Sequence, residues 1–148
     1  MTRSAALLRG AAVATLLTTI GHLVGSPHLL SGLWAHGGEN AVSVLHSYRL
    51  EAMGFVTNFF SFYAGFGWQV AAYLLGQAVV FWVLAELAPA LPSAKLRLLI
   101  GIFFWEFVGA TLLALVTWKS FWLPAAANAV PAAFLAAAWS AERDLRTR

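Results

Sequence analysis

Ile102-Phe103-Phe104-Trp105-Glu106-Phe107-Val108-Gly109 sets one carboxyl group inside an apolar run from about Ala94 to Trp118. The run is long enough to cross a bilayer as a helix. A charge at that depth costs roughly 2.5–3.5 kcal/mol on insertion scales. Glu106 must therefore be paired, protonated or wet. No Lys or Arg lies at its depth, so it is expected to carry a proton at neutral pH.

The remainder of the chain has the same character. Of its 148 residues, 61% are hydrophobic and 10% charged; a soluble globule carries about 25% charged residues. An integral membrane protein is the class that fits. The pI of 9.8 comes from Lys and Arg clustered at helix ends. No spaced basic stripe or nucleic-acid motif is present, so no nucleic-acid partner is expected. There is no cysteine, which excludes disulfides, thiolate metal sites and thiol nucleophiles.

Four runs qualify as spans: about Ala5–Gly25, Trp68–Leu87, Ala94–Trp118 and Phe121–Ala141. The first follows Arg3 and Arg9 as a signal peptide would. Gly25-Ser26-Pro27-His28 is a poor cleavage site, so the segment reads as a transmembrane helix. Pro89 and Pro92 lie in one short link and Lys119-Ser120 in the next, and short links make antiparallel neighbours. Trp82 and Trp139 are expected near one interface, and Trp68, Trp118 and Trp122 near the other.

With the N-terminus inside, four spans place Arg3, Arg9, Lys95, Arg97, Arg143, Arg146 and Arg148 in the cytoplasm. Arg49 and Lys119 then lie outside. A fifth span over 41–62 would put Arg49 in the bilayer and most of the basic residues outside, so positive-inside counting prefers four. The expectation is an all-α, single-domain four-helix bundle, multi-pass, with both termini cytoplasmic.

Residues Ser26 to Gly67 then form a long outer segment. Asn40 is a plausible N-cap for a helix from Ala41 to about Met53. The aromatic residues from Phe55 to Phe66 suit an interfacial or re-entrant piece, read as a lid over the mouth of the bundle. Gly65-Phe66-Gly67 reads as the turn into the second span.

Small or polar ridges recur every four residues: Gly10, Ala14, Thr18 and His22 on the first span, and Ala125, Ala129, Ala133 and Ala137 on the fourth. Small residues let helices approach where lipid removes the hydrophobic drive between them. They fit packing between copies as well as within one chain, so a homo-oligomer or a larger membrane complex is open. Pro131 has no N–H, which frees the carbonyl of Ala127 beside Asn128. Gln69, Tyr73 and Gln77 form a polar stripe on the second span.

At roughly 1.5 Å per residue, Glu106 lies about 12 residues below the outer end of its span, Gln77 about 9 and Asn128 about 7. His22 is about one turn in. A polar column with His22 above and Glu106 below follows as an expectation, with Gln77, Asn128, Tyr73 and Trp105 around a ligand. Glu106 then either handles protons or contacts a ligand, or is a hydrogen-bonded group that fixes helix register. His28, His36 and His46 lie on the outer side, but spacings of six, eight and ten residues along the four histidines match no metal motif. No cofactor is implied. Arg49 and Glu51, two apart, would not face each other on a helix.

Gly21-His22 and Phe62-Tyr63-Ala64-Gly65-Phe66-Gly67, with Leu75-Gly76-Gln77-Ala78-Val79-Val80-Phe81-Trp82, resemble an uncharacterised family of small four-helix bacterial membrane proteins. The likeness covers roughly 15–87 and implies this architecture, in a bacterial inner membrane, without an activity. Gly25-Ser26 stands where that family often repeats Gly-His. His22, Glu106 and Trp105 are also similar in type to the residues of emopamil-binding-protein-type sterol isomerases. That fainter resemblance implies acid–base chemistry on a lipid through Glu106 and His22, although Ser26 stands where those enzymes carry an acid. Three readings result: a small-molecule or lipid-binding bundle or accessory subunit, a lipid-modifying enzyme, and an outer-face metal binder. Whether the chain is an enzyme is left undecided.

Overall fold

The computed structural model describes residues 2–25, 39–52, 54–117 and 123–144. Five helices are present among them: α1 (Arg3–Gly25), α2 (Glu39–Ser47), α3 (Phe59–Leu87), α4 (Ser93–Thr117) and α5 (Leu123–Asp144), with strands β1 (Arg49–Ala52) and β2 (Phe55–Asn58) between α2 and α3. Helices α1, α3, α4 and α5 are each long and apolar enough to cross a membrane. Their outward faces carry large exposed apolar side chains, among them Leu17, Val79, Leu113 and Val130. Water would penalise such faces and hydrocarbon does not.

The chain divides into two compact units, one of Met1–Thr18 with Leu74–Arg148 and the other of Thr19–Tyr73. The first unit has a core drawn from all four long helices. Leu8 and Ala11 of α1, Phe81 and Leu84 of α3, Leu96 and Ile100 of α4, and Leu135 and Ala138 of α5 are buried together. Phe81 is fully buried and meets Phe103 edge-on, with ring centres 5.0 Å apart. Close approach is steric as well: a Cβ on Gly10 would stand 2.6 Å from the ring of Phe134. Gly10 thus lets α1 lie against α5.

Polar ties supplement this packing, as lipid offers no hydrophobic drive between helices. Ser4 of α1 donates its hydroxyl to Glu142 of α5. Ser93 of α4 donates to the backbone carbonyl of Glu142 at 3.2 Å. Arg9 of α1 pairs with Glu86 of α3 at 2.6 Å. The carbonyl of Ala127, freed by Pro131, receives the Thr18 hydroxyl at 3.2 Å, a proton shared with Ala14 O at 3.0 Å. These contacts bring the N-termini of α1 and α4 and the C-termini of α3 and α5 to one end, where Arg3, Arg9, Lys95, Arg97 and Arg143 also belong.

The fourth-span ridge packs differently from its expectation. Ala125 is buried, but Ala129, Ala133 and Ala137 are exposed. Pro131, Ala132, Leu135 and Ala138 fill the core instead. The four-residue spacing marked a row of small side chains correctly, but larger neighbours set which face turns inward.

The second unit departs most from the expected outline. The helix expected over 41–53 starts at Glu39, with Asn40 inside it, and stops at Ser47. An antiparallel hairpin follows, pairing Arg49 with Asn58 and Ala52 with Phe55, and Gly54 takes φ 80° in its turn. That left-handed backbone suits glycine and the twist of a short hairpin. The chain is therefore not purely helical. Arg49 and Glu51, on a strand, project to the same face because strands repeat every two residues. Residues 41–62 accordingly form no fifth span.

Helix α3 starts at Phe59, nine residues before the expected span, so Gly65-Phe66-Gly67 is helical and not a turn. Asn58 explains the early start: its side-chain oxygen accepts the Ser61 N–H at 2.7 Å, an N-cap contact.

Candidate functional site

Glu106 stands at the middle of α4, and the structure brings Gln77 of α3 to it. The amide Nε2 of Gln77 donates to Glu106 Oε1 at 2.9 Å. The link between α3 and α4 makes this possible. It closes with Ala90 N–H on Leu87 O and Lys95 N–H on Pro92 O, both at 2.9 Å, so the two helices return side by side. One turn along α3 from Gln77, Phe81 packs between Phe103 and Phe107. The aromatic seam thus sets the register that puts amide against carboxyl.

The two partners sit in different surroundings. Gln77 is only 5% exposed, and its Oε1 is buried with no hydrogen-bond partner among the described residues. Glu106 is half-buried. Only the amide's donor side is used, and the amide's acceptor needs an O–H or N–H. A protonated Glu106 carries such a donor and an ionised one does not.

The other expected site residues are engaged elsewhere. Asn128 Nδ2 donates to Pro124 O at 2.9 Å, within its own helix. Trp105 is mostly exposed and meets Phe104 at 5.1 Å. Tyr73 and His22 belong to the second unit. Tyr73 is exposed, and a ring nitrogen of His22, Nε2, lies 3.0 Å from the carbonyl of Gly67. That distance makes His22 Nε2 the donor and ties α1 to α3 within the unit.

His46 stacks on Phe60 at 4.1 Å, while His28 and His36 lie outside the described residues. Among the described residues no three His, Cys, Asp or Glu side chains cluster as metal ligands.

Sequence reading named Gln77 among several candidates for Glu106 but had no means of choosing it. It missed the cluster at the other end of the unit. There, Glu142 is 5% exposed and Ser4 2% exposed. Ser4 gives its only proton to Glu142, so Thr2 Oγ1, 3.2 Å away, donates to Ser4, and Thr2 itself accepts the Ala5 N–H. The available signal was Thr2-x-Ser4 before an apolar helix, paired with an acid in the last turn of another.

In comparisons with known proteins, the chain matches no family model, no curated protein and no solved structure.

Proposed function

We propose that this chain is a non-enzymatic, multi-pass membrane bundle or accessory subunit that binds a small lipid-like molecule at Glu106. The carrying observation is the half-satisfied pair: Gln77 holds one carboxyl oxygen of a half-buried acid at mid-helix. Such a carboxyl has capacity left for a ligand hydroxyl or amine approaching between helices or from the acyl region. A binding role is supported over acid–base chemistry by the partner itself, because an amide exchanges no proton. His22, the proton partner that chemistry would call upon, has its Nε2 bonded to Gly67 O. The basic end shared by α1, α4 and α5 supports an inner-membrane orientation with both termini cytoplasmic.

The test is the lipid and small-molecule content of the purified protein, compared by mass spectrometry for wild type, Glu106→Gln and Glu106→Leu. A molecule enriched with wild type, kept by Glu106→Gln and lost from Glu106→Leu is the expected result. Identical profiles for all three would overturn the reading.

A further inference from the structure

Two arginines of the first unit lie against tryptophans in the same way. Arg9 places its guanidinium carbon 5.4 Å from the ring centre of Trp82, and Arg97 lies 5.5 Å from that of Trp139. Arg9 also has an anion, Glu86, at 2.6 Å. Arg97 has no ion pair among the described residues, and its Nε is buried there without a hydrogen-bond partner. The acid that ends nearest in sequence to Trp139, Glu142, is already bonded to Ser4.

Arg97 also heads a groove of about 430 Å³ along α4 and α5, lined by Leu98, Gly101, Ile102, Trp105 and Trp139. Gly101 forms its floor, since a Cβ there would meet only Trp139 Nε1, at 3.9 Å. A cation stacked on an indole at a helix end, with an apolar channel running from it toward mid-helix, matches the two halves of a membrane lipid. The groove does not include Glu106 or Gln77, so this site is separate from the one above.

We infer that an anionic phospholipid of the bilayer occupies this groove, its phosphate on Arg97 and one acyl chain over Gly101 between Trp105 and Trp139. The phosphate supplies the anion that Glu86 supplies to Arg9. Guanidinium suits the role because its planar fork binds phosphate while its face stacks on indole. On the orientation expected from the sequence, this end faces the cytoplasmic leaflet, where anionic lipids reside.

Native mass spectrometry of the full chain in detergent, with phosphatidylglycerol and phosphatidylcholine in competition, tests the inference. Wild type is expected to retain one phosphatidylglycerol with about fivefold preference, the scale of one basic contact to an anionic lipid. Arg97→Gln should lose that preference, and Lys95→Gln, which removes a nearby charge outside the groove, should keep it. Gly101→Leu fills the floor and should reduce retention with Arg97 intact, which reads the same site if Arg97→Gln does not fold. No preference in wild type, an unchanged Arg97→Gln or Gly101→Leu, or an equal loss in Lys95→Gln would overturn it.

Discussion

Glu142 ends α5 beside the N-termini of α1 and α4, while Glu106 sits halfway along α4, and their surroundings differ in kind. Around Glu142 the bonds form a chain across three helices: Thr2 donates to Ser4, Ser4 donates to the carboxyl, and Ser93 donates to the backbone carbonyl. Around Glu106 one bond to Gln77 is made and the amide's acceptor is left over. A closed network at a helix end joins α1, α4 and α5 and fixes the bundle. A half-closed one at mid-helix couples only α3 to α4, and its unused capacity is what a ligand can take. The comparison separates an acid kept for architecture from one kept for binding.

Glu142→Leu breaks the closed network and is expected to have the largest effect. Ser4 loses its acceptor in a buried site, so unfolding in detergent should come about 2–3 kcal/mol more easily. A loss below about 0.5 kcal/mol would remove the contrast between the two acids. Glu106→Leu alone strands Gln77 Nε2 and should cost about 1–2 kcal/mol. Adding Gln77→Leu should restore stability to within about 0.5 kcal/mol of wild type, because removing both partners leaves nothing unsatisfied. If the double variant is as unstable as the sum of the singles, the two side chains contribute independently and the pairing of Gln77 with Glu106 is contradicted.

Much of this was legible in the sequence, and its failures have physical causes. Spans α1, α4 and α5 follow from apolar length alone, since hydrocarbon thickness sets a minimum that few soluble helices meet. The carbonyl freed by Pro131 was also readable, because a missing N–H is a covalent fact; that Thr18 would answer it was not. Residues 49–58 were misread because Arg49-Leu50-Glu51-Ala52 has too few residues to distinguish a period of 2 from 3.6. Phe59–Gly67 was misread because Gly65 and Gly67 look like a turn, while the Asn58 cap governs the backbone there. Glu106 was recognisable by its cost in lipid, but its partner depended on helix rotation. That rotation is set by the packing of Phe81 between Phe103 and Phe107, which no spacing reveals.

The tie between α1 and α5 gives the smallest effect and refines the same comparison. Thr18→Val keeps shape and removes the proton donated to Ala127 O. Since interhelical hydrogen bonds in membranes average about 0.6 kcal/mol, a loss of that size is expected. A loss as large as that of Glu142→Leu would mean that single mid-helix bonds fix the bundle as strongly as the closed network does.

The central claim, that Glu106 is an open and neutral carboxyl and Glu142 a sealed one, is tested most directly by a lipid-soluble carbodiimide, which adds to protonated carboxyl groups reachable from hydrocarbon. Membranes containing the protein are treated with dicyclohexylcarbodiimide, and the modified peptides are located by mass spectrometry. Modification of Glu106 with Glu142 untouched is the predicted outcome. An unmodified Glu106, or equal modification of both acids, would contradict it.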